Sequence, residues 1–171
     1  MSSFRAAIAR RGTVLAAPLI IAACDFQPVY APEGTGAALV GNVDVRAADD
    51  SIEFELVRAL EKSFGPTSTA AYELSTDVDT RSERVSITAT QSTNRYNLVG
   101  EVDWVLTEAA TGREVAKGSA DGFSSYSATG TTVATLAAQR DGYRRLMAIL
   151  SDKIVTDLTT RAPEALSAEA Q

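Results

Sequence analysis

The chain has 171 residues, 16 basic and 22 acidic side chains, one cysteine and no histidine. Without histidine it lacks the commonest general base near neutral pH, and with one cysteine it can build neither a tetrahedral Cys/His zinc site nor an internal disulfide. Its acidic balance argues against nucleic acid, whose binding rests on neutralising phosphates.

Arg5, Arg10 and Arg11 precede a charge-free apolar run, Thr13 to Ala23, and no acidic residue appears before Asp25. A basic start, a short apolar stretch and small residues before a cut site predict a secretory signal over residues 1–23. The run is shorter than the roughly 20 residues a membrane-spanning helix needs. Ile21-Ala22-Ala23-Cys24 resembles the bacterial lipobox, in which the signal is cut before the cysteine. The thiol then takes a diacylglycerol and the new amine an acyl chain. Cys24 is the predicted lipidation site, and that covalent lipid is the only non-protein group expected. The signal holds three of the 16 basic residues and none of the 22 acidic ones, so the mature 148 residues carry 13 against 22, a formal charge of −9.

Residues 24–41, with Pro28, Pro32, Gly34 and Gly36, read as a lipidated tether that can extend to roughly 55 Å. Val43 and Val45 alternate in a short strand. Asp50-Ser51-Ile52-Glu53 has the pattern of a capping box. The Leu56, Val57, Leu60 and Phe64 stripe predicts a helix from about Ser51 to Phe64, ended by Gly65-Pro66. Tyr72, Leu74, Thr76 and Val78 alternate with Glu73, Ser75, Asp77 and Asp79; polar Thr80 to Glu83 reads as a turn or bulge before Val85, Ile87 and Ala89. Tyr96, Leu98, Val102, Trp104 and Leu106 fall on one face of a long strand, with Asn97, Glu101 and Asp103 opposite. Ala109 to Gly112 makes a tight turn into Val115–Phe123, where Gly118 and Gly122 leave room for close approach.

A second helix is predicted from about Thr132 to Arg161, with Leu136, Tyr143, Met147, Leu150, Ile154 and Leu158 on one side. Arg140, Arg144, Arg145 and Lys153 lie beside that stripe in water. Pro163 is expected to end this helix, leaving 163–171 as a disordered tail after a folded domain of residues 42–162. The element order gives an α+β two-layer sandwich, two helices on one face of a four-stranded, mostly antiparallel sheet.

Chemistry-bearing motifs are few. The pairs Asp49-Asp50, Asp77/Asp79 and Glu101/Asp103 have ordinary places before a helix or on solvated strand faces. No phosphate loop or nucleophile elbow appears, and no catalytic or metal-ligating residue is assigned. Arg81, Arg84 and Arg95 fall near one end of two strands and form a candidate phosphate-binding cluster, since the guanidinium fork suits phosphate.

Several stretches resemble the LPS-assembly lipoprotein family LptE, in its alphaproteobacterial form. Cys24-Asp25-Phe26-Gln27-Pro28-Val29-Tyr30 is similar to that family's Cys-Gly-Phe-Gln-Pro-Leu-Tyr start, and Thr93-Asn94-Arg95-Tyr96-Asn97-Leu98 to the opening of its long strand. Thr111-Gly112, Gly118 and Ser125-Tyr126 resemble its hairpin and exit, and Ala134 to Asp141 the start of its second helix. The resemblance implies a non-enzymatic, lipid-anchored outer-membrane lipoprotein of Gram-negative bacteria, facing the periplasm. It would plug and help assemble the LptD-type β-barrel and take part in LPS transport. Few basic residues are available for LPS phosphates, and Arg81, Arg84 and Arg95 are the candidates. Asp25 stands where the family has glycine and is similar to an inner-membrane retention signal. An adaptor of another lipid-transport or barrel-assembly complex therefore stays open as the alternative.

Overall fold

A computed structural model of the chain describes residues 39–87 and 93–168. The signal, Cys24, the tether up to Ala38, Ala89 and residues 169–171 lie outside the described residues. Strand β1 (Val43–Val45) leads into helix α1 (Ser51–Phe64), followed by β2 (Tyr72–Ile87), β3 (Thr93–Glu108), β4 (Glu114–Ser127) and helix α2 (Thr132–Ala168). The sheet order is β1-β2-β3-β4, with β1 parallel to β2 and the other pairs antiparallel. This is the α+β arrangement expected from the sequence.

Local chemistry sets α1. Asp50 accepts from the amides of Ile52 and Glu53 at 2.7 and 2.8 Å. Glu53 reaches back to the amide of Asp49 at 2.7 Å, one residue beyond the usual capping-box target. Gly65, at φ 78°, ends the helix by donating to Glu61. The buried residues Leu56, Val57, Leu60 and Phe64 are the predicted stripe.

Three expected boundaries need correction. The folded body starts earlier than residue 42: Leu39 is buried in the core, and Gly41, at φ 73°, donates to the carbonyl of Phe64 at 2.7 Å. An apolar anchor at Leu39 thus draws the last predicted tether residues into the body. Thr80 to Glu83 does not turn; β2 pairs with β3 without interruption from Tyr72 to Arg84, and the register shifts only beyond Arg84. Cross-strand pairing, which polar residues make as well as apolar ones, holds that segment extended. Finally, α2 runs through Pro163 to Ala168. The proline ring fixes φ near the helical value but removes one amide donor and crowds the carbonyl four residues back, while the alanine-rich sequence after it favours helix.

Both helices pack on one face of the sheet. From the sheet come Leu74, Leu98, Val102, Trp104 and Leu106; Leu146, Met147, Leu150, Ile154 and Leu158 come from α2. On β4 the inward positions are small, Ala116, Gly118, Ala120, Gly122 and Ser124, so α2 settles close to the strand. A Cβ at Gly118 would lie 2.6 Å from Trp104 and 2.7 Å from Asp157, and one at Gly122 would lie 3.3 Å from Leu150. The close approach read from these glycines is therefore present. Gly142 on α2 meets Leu98 and sits over Tyr126, one residue short of the end of β4. The helical turns before it rise past the strand end, which leaves Leu136 exposed instead of in the buried stripe. Leu146 and Ser151 join that stripe instead.

Candidate functional site

Side chains alternate across each strand, so the register, unbroken from Tyr72 to Arg84 on β2 and from Arg95 to Leu106 between β3 and β4, assigns these residues to a face. Even-numbered positions of β2 and β3 point to the helix-bearing side; odd-numbered ones form an open face. Arg84 pairs with Tyr96 and shares its helix-bearing side, whereas Arg81, opposite Val99, and Arg95 stand on the open face. The sheet separates the three arginines instead of gathering them. Arg81 forms an exposed ion pair with Glu83 at 3.1 Å, of a kind that contributes little to stability. Neither Arg84 nor Arg95 has an ion-pair partner among the described residues.

On the helix-bearing side the end of the sheet is aromatic. Tyr96 and Tyr126 stack with ring centroids 5.1 Å apart and planes 8° from parallel. Burial raises the Tyr126 phenol above its usual range; a hydrogen bond with Ser82 opposes that shift, and Tyr96 and Tyr143 add to it. Arg84, Tyr96 and Tyr126 thus occupy one row across three strands.

The open face carries rows of like charge. Asp77 lies opposite Asp103, and Asp79 opposite Glu101, which in turn faces Asp121 on β4. Directly opposed like charges destabilise a sheet. The next odd row holds Arg81, Val99 and Phe123, the last 72% exposed. Among the described residues, no group of three His, Cys, Asp or Glu side chains is placed to hold a metal ion. No described helix is long and apolar enough to cross a membrane.

A cationic ladder on α2 escaped sequence reasoning. Arg145 donates to the carbonyl of Ser125 at 2.9 Å, Lys153 to that of Asp121 at 2.5 Å and Arg161 to that of Lys117 at 3.5 Å. These donors recur every eight helical residues, about 12 Å, and the acceptors every four strand residues, about 13 Å. The two repeats match, so three basic side chains cap the outer edge of β4. Arg145 also pairs with Asp141, and Arg161 with Asp157. The eight-residue spacing of these cations is visible in the sequence, but the carbonyls they reach are not.

A family model for lipopolysaccharide assembly, LptE, matches residues 40–158. A candidate lipoprotein of Caulobacter crescentus has a crystal structure similar to this fold: 31% identity, 76% of this chain and 96% of that one covered, TM-score 0.66. Rare lipoprotein B of Shewanella oneidensis shares the fold at 13% identity and a TM-score of 0.52, covering 70% of this chain and 92% of that one. Lipoprotein B of Nitrosomonas europaea does so at 12% identity and 0.51, covering 74% and 86%. No curated protein sequence matches the chain at a significant level. With the match spanning most of the folded body, the chain belongs to the LptE family of lipopolysaccharide-assembly proteins.

Proposed function

We propose that the chain is a non-enzymatic outer-membrane lipoprotein, anchored through acyl chains on Cys24, that plugs an LptD-type β-barrel, helps it assemble and takes part in moving LPS to the cell surface. The observation that carries this reading is the family match over residues 40–158. A small body with a polar open sheet face suits the polar lumen of a large barrel. Two acyl chains already anchor stably where one is marginal.

Within this reading Arg81 and Arg95 serve lipid phosphates on the open face, and Arg84 serves the opposite side. The test is purification of the chain from detergent-solubilised outer membrane. A large β-barrel protein should be retained in near-equal amount, and the mature polypeptide should begin at a triacylated Cys24. Recovery with inner-membrane transporter subunits alone would overturn the barrel reading and give Asp25 a sorting role in an adaptor.

A further inference from the structure

The outer edge of β2 is left unfinished. Tyr72 donates to the carbonyl of Asn42, and Leu74 accepts from the amide of Arg46. The backbone groups of even-numbered β2 residues therefore point toward the β1 side. Strand β1 covers only Tyr72 to Leu74. Beyond it, Thr76, Val78, Thr80 and Ser82 turn their N–H and C=O groups outward in the same way, while β2 stays in unbroken register with β3. No described residue bonds to these outward groups. A row of this kind is a ready template for another strand.

We propose that this edge receives an extended polypeptide segment with Lys or Arg at alternate residues, which joins the sheet as a further strand. The charge beside the edge selects the occupant. Asp77 and Asp79 stand on the open face of β2 itself, already crowded by Asp103 and Glu101 across the strand. A cleft of about 240 Å³ runs between the first turn of α1 and the edge; besides Asp49, Asp50 and Glu53 it is lined by Ile52, Thr76, Val78 and Thr80. Cations at alternate positions of an added strand would lie next to Asp77 and Asp79 and relieve their repulsion, while its amides pair with the free backbone groups. The charged side chains of β2 project perpendicular to the hydrogen-bonding direction, so they choose the partner without blocking it. This inference does not rest on the barrel reading.

The probe is a ten-residue peptide of alternating Lys and Val, titrated into the full chain while amide exchange is followed residue by residue. Binding should slow exchange at Thr76, Val78, Thr80 and Ser82 at least about tenfold, and N-methylation of alternate peptide amides should weaken binding about tenfold or more through lost backbone bonds. Thr80→Pro removes only an outward amide and should weaken binding similarly with little change in melting temperature. Asp77→Lys should weaken it about fivefold. Failure of the peptide to bind would overturn the proposal. So would equal affinity for the N-methylated peptide, or protection along Lys117–Ser125 instead of Thr76–Ser82.

Discussion

The two edges of this sheet are treated in opposite ways. At β4, a helix laid along the strand sends Arg145, Lys153 and Arg161 to carbonyls of the outermost strand. At β2, a three-residue strand covers one end and leaves Thr76 to Ser82 uncovered. An exposed edge invites unwanted pairing, and charged side chains brought to it are a common protection. Protection of one edge only concentrates strand addition on the other, next to an acidic face. The difference comes from packing: small residues on β4 draw α2 close enough for its cations to reach, whereas α1 is tied to β2 through a short parallel strand and a loop.

The closed edge depends on that close approach, so disturbing its packing should have the largest effect. Trp104→Ala removes a side chain that is 1% exposed beneath Gly118 and should cost about 4 kcal/mol in chemical denaturation. Gly118→Val places atoms where Trp104 and Asp157 already stand, and should cost about 3 kcal/mol while loosening α2 from β4. Asp50→Ala, on the open-edge side, removes the α1 cap and should cost about 1 kcal/mol, read as a lower urea midpoint at unchanged slope.

Replacing Arg145, Lys153 and Arg161 together with Gln should change stability by only about 1 kcal/mol, since all three are exposed, yet it should produce concentration-dependent self-association in sedimentation experiments. A variant that stays monomeric at high concentration would show that the ladder does not protect the edge.

The smallest effect concerns the hairpin that delivers β4. The Thr111 hydroxyl, at 2.6 Å, holds the Glu108 carboxyl below its usual range; slight burial opposes this and Arg113 reinforces it. A depressed folded-state value stabilises the fold above the unfolded carboxylate pKa, and that contribution disappears as pH falls through the folded value. Thr111→Val should move the Glu108 midpoint upward in a carboxyl-detected titration. An unmoved midpoint would assign the shift to Arg113.

How legible these features are in the sequence follows from their range. Every determinant of α1, from Asp50 through the buried stripe to Gly65, lies within a few turns, and the helix boundaries read directly from the chain. The faces of β3 were equally readable because alternation is local. Pro163 and Thr80 to Glu83 misled because each has a local preference that its surroundings override: alanine-rich helix in one case, pairing with β3 in the other. Strand order is a tertiary property, so neither the open edge of β2 nor the partners of the α2 cations could be read from spacing alone. The three arginines are near one another in strand position, but alternation places Arg84 across the sheet from Arg81 and Arg95. Counting parity through the predicted turn at Thr80 to Glu83 would have hidden this.

Residue-resolved hydrogen exchange of the free chain tests the edge asymmetry most directly. Along β2, Thr76, Val78, Thr80 and Ser82 should exchange fast while Asp77, Asp79 and Arg81, bonded to β3, exchange slowly. Uniform protection from Thr76 to Ser82 in the free chain would mean that the edge is already covered, and would contradict the account.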